Sequence, residues 1–226
     1  MGKKQLRPPK AKRLLEEPLL SVSLSDAVLT AAIAASLCMF NTAPPHLEGY
    51  SKTILAGLTM IGLASTLGIF RFAGFGGNIV RFLHETMSSL AGRAGVPFLG
   101  ISFLAVLPPS SPLAELLAPY LFSILVSLVA GAILVTIYGS PLVSEVHLTV
   151  LGILSMGFIA YVCGVVTWST SGIWGAVIFL GVGLIGAHKH KRVLGIRQVN
   201  LLHYGLAASM LLISTALREL LLKNKA

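Results

Sequence analysis

Residues 78–107 read NIVRFLHETMSSLAGRAGVPFLGISFLAVL, and the number of times this chain crosses a membrane turns on them. In the first half, Val80, Leu83, Met87 and Leu90 recur at spacings of 3, 4 and 3, which lays one apolar stripe along a helix. Arg81, His84, Glu85, Ser88 and Gly92 fall off that stripe. The spacing predicts an amphipathic helix over 78–93, suited to a membrane interface. The second half, 95–107, is apolar but short, since a span needs about 20 residues. It crosses only if the preceding helix lends it length, with Pro97 as a kink; Pro108, Pro109 and Pro112 end it. Crossing gives seven spans. A re-entrant segment gives six.

On either side of this stretch the composition is that of a membrane protein. Of 226 residues, 55% are hydrophobic and 11% charged, against about 25% charged in an ordinary soluble domain. That excludes a soluble enzyme, a disordered tail protein and a coiled coil. It predicts an all-α polytopic transmembrane helical bundle of about seven spans, six being the alternative, with one interfacial amphipathic helix. Apolar runs at 23–40 and 54–72 precede the deciding stretch. Runs at 113–137, 146–166, 172–187 and 199–217 follow it. Gly74-Phe75-Gly76-Gly77 predicts a flexible turn. Three regions result: a basic cytoplasmic tail, 1–22, a transmembrane domain, 23–222, and a short C-terminal tail, 223–226.

Charge sets the expected orientation. Lys3, Lys4, Arg7, Lys10, Lys12 and Arg13 lie in the tail. With seven spans, Arg71, Arg81, Arg93, Lys189, Lys191, Arg192 and Arg197 share its side, against Lys52, Arg218, Lys223 and Lys225 opposite. The excess of basic residues places the N-terminus in the cytoplasm. Trp168 and Trp174 then flank an outer loop, as interfacial indoles do. The formal net charge of +9 is read as orientation and lipid contact, not nucleic-acid binding. The expected partners are the bilayer, anionic head groups near the basic tail and the 188–197 loop, and other helices in an oligomer. Which membrane holds the chain is not written in the sequence. No cleavable signal peptide and no glycosylation sequon are found. Cys38 and Cys163 sit within apolar runs near the expected outer ends of spans one and five, as buried thiols rather than a disulfide framework.

Motifs that would carry chemistry fail on context. Gly181-x-Gly183-x-x-Gly186 spells a dinucleotide fingerprint, but inside an apolar run with no preceding strand. It reads as small residues admitting a neighbouring helix, as do Gly57, Gly62, Gly131, Gly152 and Gly157. His84-Glu85 opens a zinc-protease motif that Ser88 breaks. His188 and His190 stand among Lys189, Lys191 and Arg192, which would repel a metal. The span centres show no Asp, Glu, Lys or Arg, which argues against ion coupling. Leu67-Gly-Ile-Phe-Arg71 is echoed by Leu194-Gly-Ile-Arg197, a pattern suited to a parallel transporter repeat.

One constellation remains. With seven spans, Asp26, Glu85 and Glu145 gather near the cytoplasmic ends of their helices together with His84, His147 and His203. The three histidines are the candidate metal ligands, for zinc, with a carboxylate as orienting group or general base. Seven-span hydrolases of the alkaline-ceramidase and adiponectin-receptor type are similar in span number and in their use of histidines. They carry paired histidines in the last span, where this chain has His203 with Ala207 four residues on. No catalytic residue and no cofactor other than zinc is assigned. The sequence thus reads as a multi-pass, non-enzymatic membrane protein that packs with partner spans or handles lipid. Alternatives are an intramembrane metal-dependent hydrolase and a facilitative transporter.

Overall fold

The structure is a computed structural model that describes residues 19–40, 48–107, 130–131, 141–185 and 191–223. It is mostly helical. The main helices are α1 (Leu20–Phe40), α2 (Glu48–Phe72), α3 (Gly77–Leu90), α4 (Val96–Ser102), α5 (Pro141–Tyr161), α6 (Thr170–Ile185) and α7 (Gln198–Lys223). A two-stranded hairpin, β1 (Arg192–Val193) and β2 (Ile196–Arg197), precedes α7. Three segments, Leu20–Phe40, Lys52–Phe72 and Gln198–Lys223, are long and apolar enough to cross a membrane. The expected fourth span, 113–137, lies outside the described residues apart from Ala130 and Gly131.

Neighbour contacts link α2 to α1, α1 to α7, α7 to α6, α6 to α5, α5 to α4, and α4 back to α2. Named side chains fix the directions. Ser23 donates to the Ile69 carbonyl at 3.0 Å, and the Thr30 and Ser65 hydroxyls meet at 2.8 Å, so α1 and α2 are antiparallel. Ser25 reaches Asn200 and His203, so α1 and α7 begin at the same end. Ser209 donates to the Gly175 carbonyl at 2.8 Å, and an added Cβ on Gly172 would meet Ala216 at 3.2 Å, so α6 opposes α7. Gly164 lies against Ile173 and Gly152 against Phe179, so α5 opposes α6. Two ends result, a His203 end and a Trp168 end.

The deciding stretch folds as one helical run. Gly74, Gly76 and Gly77 take positive φ, with Gly76 as N-cap of α3 at φ 84°. A side chain on Gly76 would run into Val80, so the turn depends on glycine there. Between α3 and α4, Ala91–Gly95 form a π-helical turn in which Val96 N–H bonds the Ala91 carbonyl. Pro97 then falls at the start of α4, where its missing N–H costs little. The run tracks α2 in reverse: Arg71 meets His84, Gly95 crosses Gly57, and the Thr53 and Ser102 hydroxyls meet at 2.9 Å.

Several expectations are corrected. Arg93, expected at the end of the amphipathic helix, is 3% exposed, and its guanidinium donates to Ser89. The Gly95 backbone beside it packs on Gly57, Met60 and Ile61, midway along α2. The π turn carries the helix through Arg93 instead of ending it. Gly181 and Gly183 meet no described neighbour within 4 Å, whereas Gly57, Gly62, Gly172, Gly175 and Gly205 sit in tight crossings. The glycines of α6 that meet α7 are Gly172 and Gly175 at its start, while at its Gly-rich end Val182 packs on Gly205 of α7. The Leu67–Arg71 and Leu194–Arg197 echo is not a structural repeat, since the first copy is helix and the second a hairpin. α1 begins at Leu20, three residues before the expected boundary.

The core collects Ile33, Leu58, Leu99, Ile159 and Met210 from α1, α2, α4, α5 and α7, with Phe103 from the turn after α4. Outside it, Leu24, Val28, Leu63, Ile153, Val177 and Leu184 are exposed along the helices. Large apolar side chains facing outward on so many helices suit a lipid surround.

Candidate functional site

The polar residues concentrate at the His203 end, where α1 and α7 begin and α2 ends. Val22, Phe72 and Val199 pack together there with Leu19, whose N–H bonds the Phe72 carbonyl at 2.8 Å. This apolar plug pins the helix ends and encloses the polar groups one turn deeper.

Ser25 and Asp26 lie side by side on α1, both buried. Ser25 Oγ donates to the Val22 carbonyl at 2.8 Å, its own preceding turn. Its hydrogen is thereby engaged, so it accepts from His203 Nδ1 at 3.0 Å. Asn200 Oδ1 lies 3.4 Å from the same hydroxyl. Asp26 Oδ1 lies 3.3 Å from the same His203 nitrogen. These partners assign the Nδ1–H tautomer to His203. The Asp26 carboxyl rests over Gly68 of α2, where an added Cβ would come 2.7 Å from Cγ. The notch exists because residue 68 has no side chain.

A second histidine is held the opposite way. Arg71, at the end of α2, places Nη1 2.9 Å from His84 Nδ1. A guanidinium only donates, so that nitrogen accepts and the ring proton sits on Nε2. Ser88 Oγ lies 3.4 Å from Nε2. Arg71 Nη2 donates to Glu85 at 3.0 Å, and Arg81 bonds the same carboxylate oxygen at 3.2 Å. The Arg71 guanidinium also stacks 5.3 Å from the Phe72 ring centroid, and Phe72 meets His84 edge-on at 5.5 Å. Arg71 is thus a hub between α2 and α3. Its charge reaches the Asp26 carboxyl.

Of the six residues expected at this end, the structure pairs Asp26 with His203 and sets His84 and Glu85 on Arg71. Glu145 and His147 belong to α5, but their side chains lie outside the described residues. Among the described residues no three His, Cys, Asp or Glu side chains are grouped to hold a metal ion. His84 Nδ1 is engaged by Arg71, and His203 Nδ1 by Ser25 and Asp26. The geometry is that of a hydrogen-bonded staple joining α1, α2, α3 and α7. Ser25, Gly68, Arg71 and Asn200 belong to it and were not predicted. The adjacency of Ser25 to Asp26 inside an apolar run was the available signal for one of them.

The same end carries a basic projection. In the hairpin, Arg192 pairs with Arg197 and Val193 with Ile196. Leu194 and Gly195 form its tip with φ of 51° and 81°, the paired positive angles that a two-residue hairpin turn needs. Glycine takes such an angle freely, and leucine does so at a cost. Leu194 is 97% exposed, and Lys191 and Arg192 beside it are exposed too. Phe75 just before α3 and Ile79 and Phe82 on it make an exposed apolar line, which Leu83 of the expected stripe joins, while Val80, Met87 and Leu90 are partly buried.

No protein-family model matches the chain, and neither a curated protein nor a solved structure matches it.

Proposed function

We propose that the chain is a seven-span, non-enzymatic integral membrane protein, its His203 end cytoplasmic, which engages anionic lipid head groups at that end. The span count draws its support from the helix directions. α3 through α4 follows α2 from Arg71 to Thr53, about 27 Å at 1.5 Å per residue, close to the roughly 30 Å of a hydrocarbon core. The chain therefore leaves α4 toward the Trp168 end and re-enters α5 from the His203 end. One further crossing, the expected span at 113–137, joins them.

The observation that carries the lipid reading is the hairpin tip. A leucine held outward at a left-handed φ, between Lys191, Arg192 and Arg197, is suited to dip below phosphates that the basic groups bind. The exposed Phe75, Ile79 and Phe82 line gives α3 the same kind of surface.

The test is lipid retention. Purified protein is passed through nanodiscs of mixed anionic and zwitterionic lipid, and the lipids that survive delipidation are identified by mass spectrometry. Enrichment of anionic lipid that falls in the Lys191→Ala, Arg192→Ala, Arg197→Ala triple variant is the expected result. Equal retention of both lipid classes by the wild-type chain would overturn the reading.

A further inference from the structure

Asp26 is the only aspartate among 226 residues, and it is 1% exposed. Its two oxygens are treated differently. Oδ1 faces His203 Nδ1, whereas Oδ2 has no hydrogen-bond partner among the described residues. That oxygen lies over the Gly68 notch, closed in by α2. A bare carboxylate oxygen without a donor is costly in an apolar interior. Ionisable groups at such depth in a membrane bundle mark ion or proton paths by default. A proton on Oδ2 removes both the charge and the need for a donor.

We propose that Asp26 and His203 form a binding site for one exchangeable proton between α1 and α7. With the proton bound, the pair is a neutral acid beside a neutral imidazole, or equally a carboxylate beside an imidazolium. On release the proton passes to water, leaving a carboxylate beside a neutral ring. His203 provides the exit, because its side chain keeps 13% exposure while Asp26 keeps 1%. Among the described residues, the charged and titratable groups near the pair are Arg71 on α2 and, held on Arg71, His84 and Glu85 on α3. Arg71 directs its two terminal nitrogens at His84 and Glu85, so the guanidinium acts on Asp26 through its field. Since the pair bridges two parallel helices, proton binding changes how α1 and α7 hold together. This site is independent of the lipid-binding surface.

The chain's single aspartate makes the test direct. Full-length protein is labelled with carbon-13 at the aspartate carboxyl and nitrogen-15 in its histidines, reconstituted in nanodiscs and titrated by NMR. The Asp26 signal is expected to move through a titration while the bundle stays folded, with a midpoint shared by one imidazole, as coupled groups do. His203→Gln is expected to displace that midpoint, and Glu219→Gln, near the far end of α7, to leave it in place. An Asp26 signal that does not move, or one whose midpoint ignores His203→Gln, would overturn the proposal. If His203→Gln fails to fold, the wild-type spectra still decide: a carboxyl that titrates with no imidazole at the same midpoint contradicts it.

Discussion

α3 and α4 are two parts of one helical run, yet their surroundings are opposite. No residue of α3 is fully buried. In α4 only Phe98 reaches the surface in part. The sequence difference behind this is modest: α3 alternates charge with apolar residues, and α4 is apolar on every side. A helix that is apolar all round is buried by its neighbours, whereas one with a single stripe lies against them. The length of 95–107 was therefore a poor guide to its role. Enclosed by α2 and α5, α4 needs no 20 residues of its own, because α3 supplies the rest of the path along α2.

This contrast can be broken most severely in α4. Leu99 is fully buried, and Leu99→Ala should cost about 3 kcal/mol, measured by denaturation in detergent micelles. Next in size is the crossing that seats the run. An added Cβ on Gly57 would stand 2.6 Å from the Gly95 carbonyl, and backbone cannot yield there. Gly57→Leu should cost about 2 kcal/mol by the same measurement. Arg71→Gln attacks the α3 half at its one strong tether. Glu85 is half-exposed, so solvent screens that ion pair, and the loss should be about 1 kcal/mol. Proteolysis within 77–90 should nevertheless become faster, because α3 loses its hold on α2. Smallest is Ile79→Ala on the outward face of α3. It should stay within about 0.5 kcal/mol in detergent, yet weaken contact between α3 and brominated lipid in quenching experiments. A large stability loss at Ile79 would mean that α3 is packed against protein after all.

Much of this was legible in the sequence, for identifiable reasons. Periodicity located the amphipathic helix to within a few residues, and apolar runs located α1, α2, α6 and α7. Span parity alone suggested that Asp26, His84, Glu85 and His203 share an end; the structure shows two pairs, Asp26 with His203 and His84 with Glu85 on Arg71. What stayed hidden depended on tertiary contact. Arg93 looks like the end of a helix, because nothing local announces the π turn that carries the chain past it. Arg71 looks like an orientation charge until the turn at Gly74–Gly77 folds His84 and Glu85 back onto it. Phe75, Ile79 and Phe82 share the helical spacing of the stripe beside them, and burial divides them from Val80, Met87 and Leu90 but not from Leu83. Gly181 and Gly183 resemble a packing seam, but the glycines that close on α7 are Gly172 and Gly175, and between the first two it is Val182 that packs, on Gly205.

In the proposed topology the run from α3 to α4 crosses the membrane, which makes the number of crossings odd. Epitopes placed before Met1 and after Ala226 test this, in sealed vesicles of one orientation exposed to protease. One epitope should be lost and the other protected until detergent opens the vesicle. Loss or protection of both together would contradict it: α4 would then turn back within the bilayer, and the shared face of Asp26, His84 and His203 would need another explanation.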